Sequence, residues 1–209
     1  MAITFNPNPM TEVEAVNLML LSIGKSPVNT LAVAGINDVS WATTILYNTT
    51  RAVQQRGWWF NREPAFPITP DSQGNILIPN TVIDIDTTDR TLNYVERQGK
   101  LYDLDGHSFN IGAKIGGQPL KCDVVWCFDF EDLPQAARSF IGRRAGREFQ
   151  TSAIGAQILY QFTKELELEA EADLQRSELK NGSARNMFAT PTRNNRIFNR
   201  QPGAYRRSW

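Results

Sequence analysis

The sequence holds one histidine, His107, in 209 residues. That scarcity excludes histidine-based metal sites and leaves any Ser-His-Asp triad dependent on a residue beside a turn. Cysteine is nearly as scarce, with only Cys122 and Cys127, so no disulfide framework can be built. The two lie on one predicted strand at an odd offset, which points them to opposite faces. Both are expected as free, buried thiols in a chain made in a reducing setting. Excess charge is absent too: 22 Lys and Arg balance 22 Asp and Glu, so no global field draws the protein to nucleic acid or membrane. No apolar run approaches the roughly 20 residues of a membrane span. The opening MAITFNPNPM lacks the basic-then-apolar order of a signal peptide.

Motifs that carry chemistry fail when tested residue by residue. Asp103-Leu104-Asp105-Gly106 begins like a calcium loop, but Ser108 stands where glycine is needed and Lys114 where a bidentate glutamate is needed. Gly112-Ala113-Lys114-Ile115-Gly116-Gly117 lacks phosphate-loop spacing and precedes a strand, so it reads as a flexible loop tip. Carboxylate pairs are plentiful, but nothing in the sequence sets two across a substrate. No catalytic residue, metal ligand or cofactor is assigned, and the chain is not expected to be an enzyme.

The remaining pattern is architectural. Thr11-Glu12-Val13-Glu14 is a capping box, and a helix runs from it to Ile23 with Gly24 as its stop. Val13, Val16, Leu20 and Ile23 form its stripe. Leu18, Met19 and Leu21 widen the stripe, either toward a second buried side or toward a partner subunit. A second helix, from Asn37 or Asp38 to Arg56, carries Val39, Ala42, Leu46, Thr49 and Val53 at the α period and would be about 28 Å long. Gly57 ends it, and Trp58, Trp59 and Phe60 follow at once. Three adjacent aromatics cannot share one strand face, so these are expected to pin a β-rich insertion to the helices. Trp59 is expected to carry stability and no contact with DNA.

Pro64, Pro67 and Pro70 exclude helix after Arg62. Short β segments then follow at 76–78, 82–86, 92–97, 100–103, 108–111 and 120–128, as an antiparallel sheet or small barrel. Gln98-Gly99 and Asp105-Gly106 are the hairpin turns. Helix resumes after Asp132, the expected N-cap, with Ala137, Phe140, Ile141, Ala145 and Phe149 on one face and Arg138, Arg143, Arg144 and Arg147 mostly on another. The longest helix runs from about Ala156 to Lys180. Its apolar edge is Leu159, Phe162, Leu166 and Ala170, and Glu165, Glu167, Glu169, Glu171 and Asp173 are a solvated or channel-lining acidic surface. Residues 188–209 contain five arginines and no acid, interleaved with aromatics. Pro191 and Pro202 interrupt any helix, and the segment has too little apolar content to fold alone. Arg193, Arg196, Phe198, Arg200, Tyr205, Arg206 and Trp209 are its candidate partner-binding residues.

The fold class is therefore α+β: an antiparallel helical bundle (1–61 and 131–187), an inserted small antiparallel β domain (62–130) and an extended C-terminal arm (188–209). Several stretches carry a resemblance, in this order: Glu14-Ala15-Val16-Asn17 through Leu21-Ser22-Ile23-Gly24-Lys25-Ser26-Pro27-Val28, the Arg51–Asn61 joint, Gly99-Lys100-Leu101-Tyr102-Asp103, and Phe130-Glu131-Asp132-Leu133-Pro134 with Arg147-Glu148-Phe149-Gln150. Over residues 12–180 the chain resembles tail tubular protein A, the head-to-tail adaptor family of short-tailed phages. The resemblance implies a virion protein at the head-tail junction, made in the host cytoplasm. It implies a dodecameric ring of this chain between the portal protein and a tail nozzle of tubular protein B type, with DNA passing down the lumen unread and no membrane involved. Glu165, Glu169 and Asp173 would be lumen-facing. Two other readings use different features: a DNA-binding accessory protein acting through the arm, and a tail-borne hydrolase of the cell envelope.

Overall fold

The computed structural model describes residues 8–32, 37–155 and 157–183, with the backbone alone for 157–159, 182 and 183. Arg193, Arg196, Phe198, Arg200, Tyr205, Arg206 and Trp209 all lie outside the described residues. The described chain is α+β, four helices with two small antiparallel sheets.

Helix α1 spans Glu12–Ser22. Thr11 caps it as the sequence requires: its Oγ1 accepts the Glu14 N–H at 3.2 Å while the Glu14 carboxylate accepts the Thr11 N–H at 2.8 Å. Gly24, at φ +74°, ends the helix. Its N–H and that of Lys25 close back on the Leu21 and Leu20 carbonyls, a Schellman ending. The buried stripe is Ala15, Val16, Met19 and Leu20. Val13 and Ile23, expected at its centre, lie at its edges, and Leu18 and Leu21 are exposed.

Helix α2 spans Asn37–Gln54 and buries every residue of the expected stripe. It ends two residues short of Arg56, because the Gly57 N–H turns back to the Gln54 carbonyl at 3.0 Å. Helix α3 spans Gln135–Ala153 and is capped by Pro134 and not by Asp132, which sits in a single 3-10 turn, Phe130–Asp132. Proline fits there because it has no N–H to satisfy at a helix start. Ala137, Phe140, Ile141, Ala145 and Phe149 are buried as expected. Arg138 was expected on another face than this apolar one. It is buried and donates to the carbonyls of Leu133 (2.7 Å), Met10 (2.8 Å) and Glu131, which binds the N-terminal segment and the 3-10 turn to α3. Helix α4 spans Gln157–Glu178 and runs into a π-turn, Leu179–Ser183. α3 packs against α1, α2 and α4.

The first sheet has the order β1-β5-β2, with β1 Arg62–Ile68, β2 Val82–Thr87 and β5 Leu120–Trp126. β5 is central, as its apolar run indicated. β1 is an edge strand, where prolines are tolerated. Its register slips between Glu63 and Phe66, and Ala65 sits at φ +54° with its N–H on the Asp123 carboxylate at 2.9 Å. Strands β3 (Tyr94–Arg97) and β4 (Lys100–Asp103) form a hairpin. Both turn residues, Gln98 and Gly99, have positive φ, as a type I′ turn demands. The strands expected at 76–78 and 108–111 reduce to isolated bridges, Leu77 to Lys100 and Asp103 to Ser108.

Two cores result. One joins the four helices with Trp58, Phe130 and Leu133; the other gathers Ile76, Ile78, Tyr94, Leu101, Ile111, Leu120, Cys122 and Val124 under the sheets. The 112–117 loop is packed at its base, while Gly116 and Gly117 at its tip are exposed. Gly112 donates to the Gly74 carbonyl at 2.8 Å, and a Cβ on Gly112 would lie 2.7 Å from the Gly74 Cα. Lys114, at the twelfth position of the failed calcium loop, pairs with the Asp103 carboxylate. The Lys114 contact and the N–H groups of Gly106 and Asp105 hold Asp103 below the usual carboxylate range. Cys122 and Cys127 are both free, and burial pushes the Cys122 thiol up to about 11.

Candidate functional site

The joint between the two cores is built from a short run. Gly57 stands at φ +72°, and a Cβ there would come 3.2 Å from Val125 Cγ2. Only glycine allows both the turn and the approach to β5. Trp58 then drops into the helical core, its Nε1 donating to the Val53 carbonyl at 2.8 Å. Trp59 and Phe60 are half-buried against that core and meet edge to face at 5.0 Å. Of the three, Trp58 is the one that is fully inside the core.

Two amide side chains that the sequence reading passed over complete the joint. Asn61 is fully buried. Its Nδ2 donates to the Gln54 carbonyl at 2.9 Å and the Trp126 carbonyl at 2.8 Å, and its Oδ1 accepts the Trp58 N–H at 2.8 Å. Gln54 is fully buried and spans to Phe128, with Nε2 on its carbonyl and Oε1 accepting its N–H, both at 2.8 Å. Together they satisfy backbone groups at the end of α2, the aromatic turn and the exit of β5. The signal for Gln54 was present: it follows Thr50 by four on the buried face of α2. Nothing local marked Asn61.

α4 is tied to the same joint. The Trp59 N–H donates to Glu178 Oε2 at 2.8 Å, and Arg56 pairs with Glu171 at 3.6 Å while lying 4.8 Å over the Trp58 ring. Further along, Glu167 is buried, so it leaves the acidic surface where the sequence placed it. Burial works to raise its carboxyl, but Arg147 and Lys164 outweigh burial and hold it below the ordinary range. Glu165, Glu169 and Asp173 are exposed along α4. Phe162 and Leu166, expected to be buried, are exposed by 63% and 43%; Leu18 and Leu21 of α1 are exposed by 48% and 55%. Leu18 and Leu166 flank a shallow notch floored by Gly142 and Gly146 of α3. The ends of α1 and α4 thus present apolar side chains beside an opening between helices. Among the described residues, no three His, Cys, Asp or Glu side chains gather as a metal site, and no helix is long and apolar enough to cross a membrane.

A family model described as tail tubular protein matches residues 13–184, from α1 through α4. The chain belongs to the tail tubular protein family. It is similar to tail tubular protein A of Klebsiella phage KP34, with 27% identity over 154 residues, 72% of this chain and 77% of that one. The family assignment makes it a structural protein of the phage tail. Residues 188–209 lie beyond the matched region.

Two stability measurements follow. Asn61→Ala strands the Trp126 carbonyl and the Trp58 N–H and takes from the Gln54 carbonyl one of its two donors, leaving it the Gly57 N–H, and is expected to cost about 3 kcal/mol in urea unfolding; a loss within error of zero contradicts the joint. The Glu167 carboxyl is held below the ordinary glutamate range, so its contribution is present above that range and lost as pH falls through the lowered value. The melting-temperature gap between wild type and Glu167→Gln should therefore close on acidification from neutral pH; a constant gap contradicts it.

Proposed function

We propose that this tail protein is the head-to-tail adaptor, a ring of identical subunits between the portal and the tail nozzle through which DNA passes. The helical body (1–61 and 131–187), arranged as an antiparallel bundle, makes the ring, and the 62–130 insertion leans toward the nozzle. The observation that carries this reading is the exposed apolar set Leu18, Leu21, Phe162 and Leu166 on α1 and α4. Clustered exposed apolar side chains beside a cleft mark a contact surface on a soluble protein. A ring requires a different face of each subunit against its neighbour, and this set supplies one of the two.

The exposed acids Glu165, Glu169 and Asp173 suit a lumen wall, since like charge keeps the DNA backbone from adhering. The 188–209 arm, through Arg193, Arg196, Phe198, Arg200, Tyr205, Arg206 and Trp209, docks on the neighbouring ring. The DNA-binding alternative is disfavoured by charge: five of the 22 cations lie in that arm, and the remaining seventeen face 22 acids.

Leu18→Glu/Leu166→Glu places charge in the proposed contact without touching either core. Negative-stain images of wild type mixed with portal and nozzle should show an added ring. The double variant should remain folded by circular dichroism and add none. Assembly of the variant equal to wild type overturns the reading.

A further inference from the structure

A second concave surface lies beside the joint, with Phe128 on its wall. Glu12, Tyr47, Phe128, Asp129, Glu131 and Asp132 line a cleft of about 590 Å³. Tyr47 and Phe128 are exposed there, although large aromatics are normally buried where they can be. Arg51 is the one cation on the wall against four carboxylates. The carboxylates crowd each other: burial, with the like charges of Glu131 and Asp129, raises the Glu12 carboxyl against the hydrogen bond it accepts from Tyr47. Acids interleaved with aromatic faces bind guanidinium groups well, through ion pairs and cation–π contacts.

The chain carries a segment of matching chemistry. Residues 188–209 hold five arginines, Phe198, Tyr205 and Trp209, and no acid. The segment also starts in a suitable place. The last turn of α4 is held at the joint by Glu178 on the Trp59 N–H. A groove lined by Phe60, Asn61, Arg62, Glu63, Trp126 and Phe128 lies beside that joint and shares Phe128 with the cleft. The 26 residues from 184 to 209 extend up to about 85 Å, twice the roughly 40 Å diameter of a body this size. A tether this short also gives millimolar effective concentration, which favours the segment of the same molecule over any free partner.

We propose that, in the free protein, the acidic-aromatic cleft between α1, α2 and the 128–132 segment is the docking site for the chain's own arm, residues 188–209. Arginines of the arm pair with Asp129, Glu131 and Asp132, and stack on Tyr47 and Phe128. The docking rests on charge and geometry within one subunit and does not depend on ring formation. A docked arm is withheld from other surfaces until a stronger acceptor competes for it.

Trypsin reads this directly on the full-length protein, because the arm's arginines are its cleavage sites and proteolysis follows the undocked population. Cleavage after Arg193 and Arg196 at low salt should be about tenfold slower in wild type than in Asp129→Asn/Glu131→Gln/Asp132→Asn. These are exposed side chains, and an unchanged melting temperature checks the fold. The arm variant Arg200→Ser/Arg206→Ser, which leaves the cleft intact, should likewise speed cleavage after Arg193. Protection in wild type should persist on dilution. Equal rates in wild type and both variants overturn the proposal. So does protection that disappears on dilution, which assigns the cleft to the arm of a second copy.

Discussion

Two buried amides, Gln54 and Asn61, bear the constraint on which the rest of the structure depends. A chain that leaves a helix and enters a sheet inside a core must bring its unpaired backbone groups with it, and each costs about 1–3 kcal/mol if left without a partner. Asn61 meets this need at three points and Gln54 at two. Because both side chains are anchored at both ends, they fix direction as well as satisfying bonds. β5 cannot rotate against α2 without breaking several hydrogen bonds in a dry setting, where such bonds are strong.

The other features are arranged around that point. Trp58 fills the core beneath it, Gly57 lets β5 approach, and α4 closes over it through Glu178 and Glu171. The Arg147–Glu167 pair holds the other half of α4 to α3. That arrangement leaves the apolar side chains of α1 and α4 facing outward while the joint stays rigid. The division puts stiffness inside and exposed apolar side chains outside.

Much of this was legible in the sequence, for identifiable reasons. Helical periodicity located the stripes of α2 and α3 almost residue for residue, because one face of each is fully covered. The Thr11 capping box, the Gly24 and Gly57 stops and the Gln98-Gly99 turn are local chemistry and needed no tertiary information. α4 was misread where tertiary context decides. Phe162 and Leu166 sit at core spacing, but among the described residues nothing covers them enough to bury them, while acidic Glu167 is buried because Arg147 waits across the interface. Arg138 was missed for the same reason: its partners are carbonyls over a hundred residues away in sequence or in the preceding turn. Asn61 was invisible because its function is to satisfy backbone atoms that the fold itself brings together. The candidate binding residues of the arm, by contrast, were readable only as composition.

If the amide joint makes the two cores one mechanical unit, they must open together. Native-state hydrogen exchange measures that directly, by comparing the most protected amides of α3 with those of β5. The account predicts one shared opening free energy for both sets, equal to global unfolding. Exchange of the β5 amides at a clearly lower free energy, with α3 still protected, would contradict it, because the sheet would then open independently of the helices.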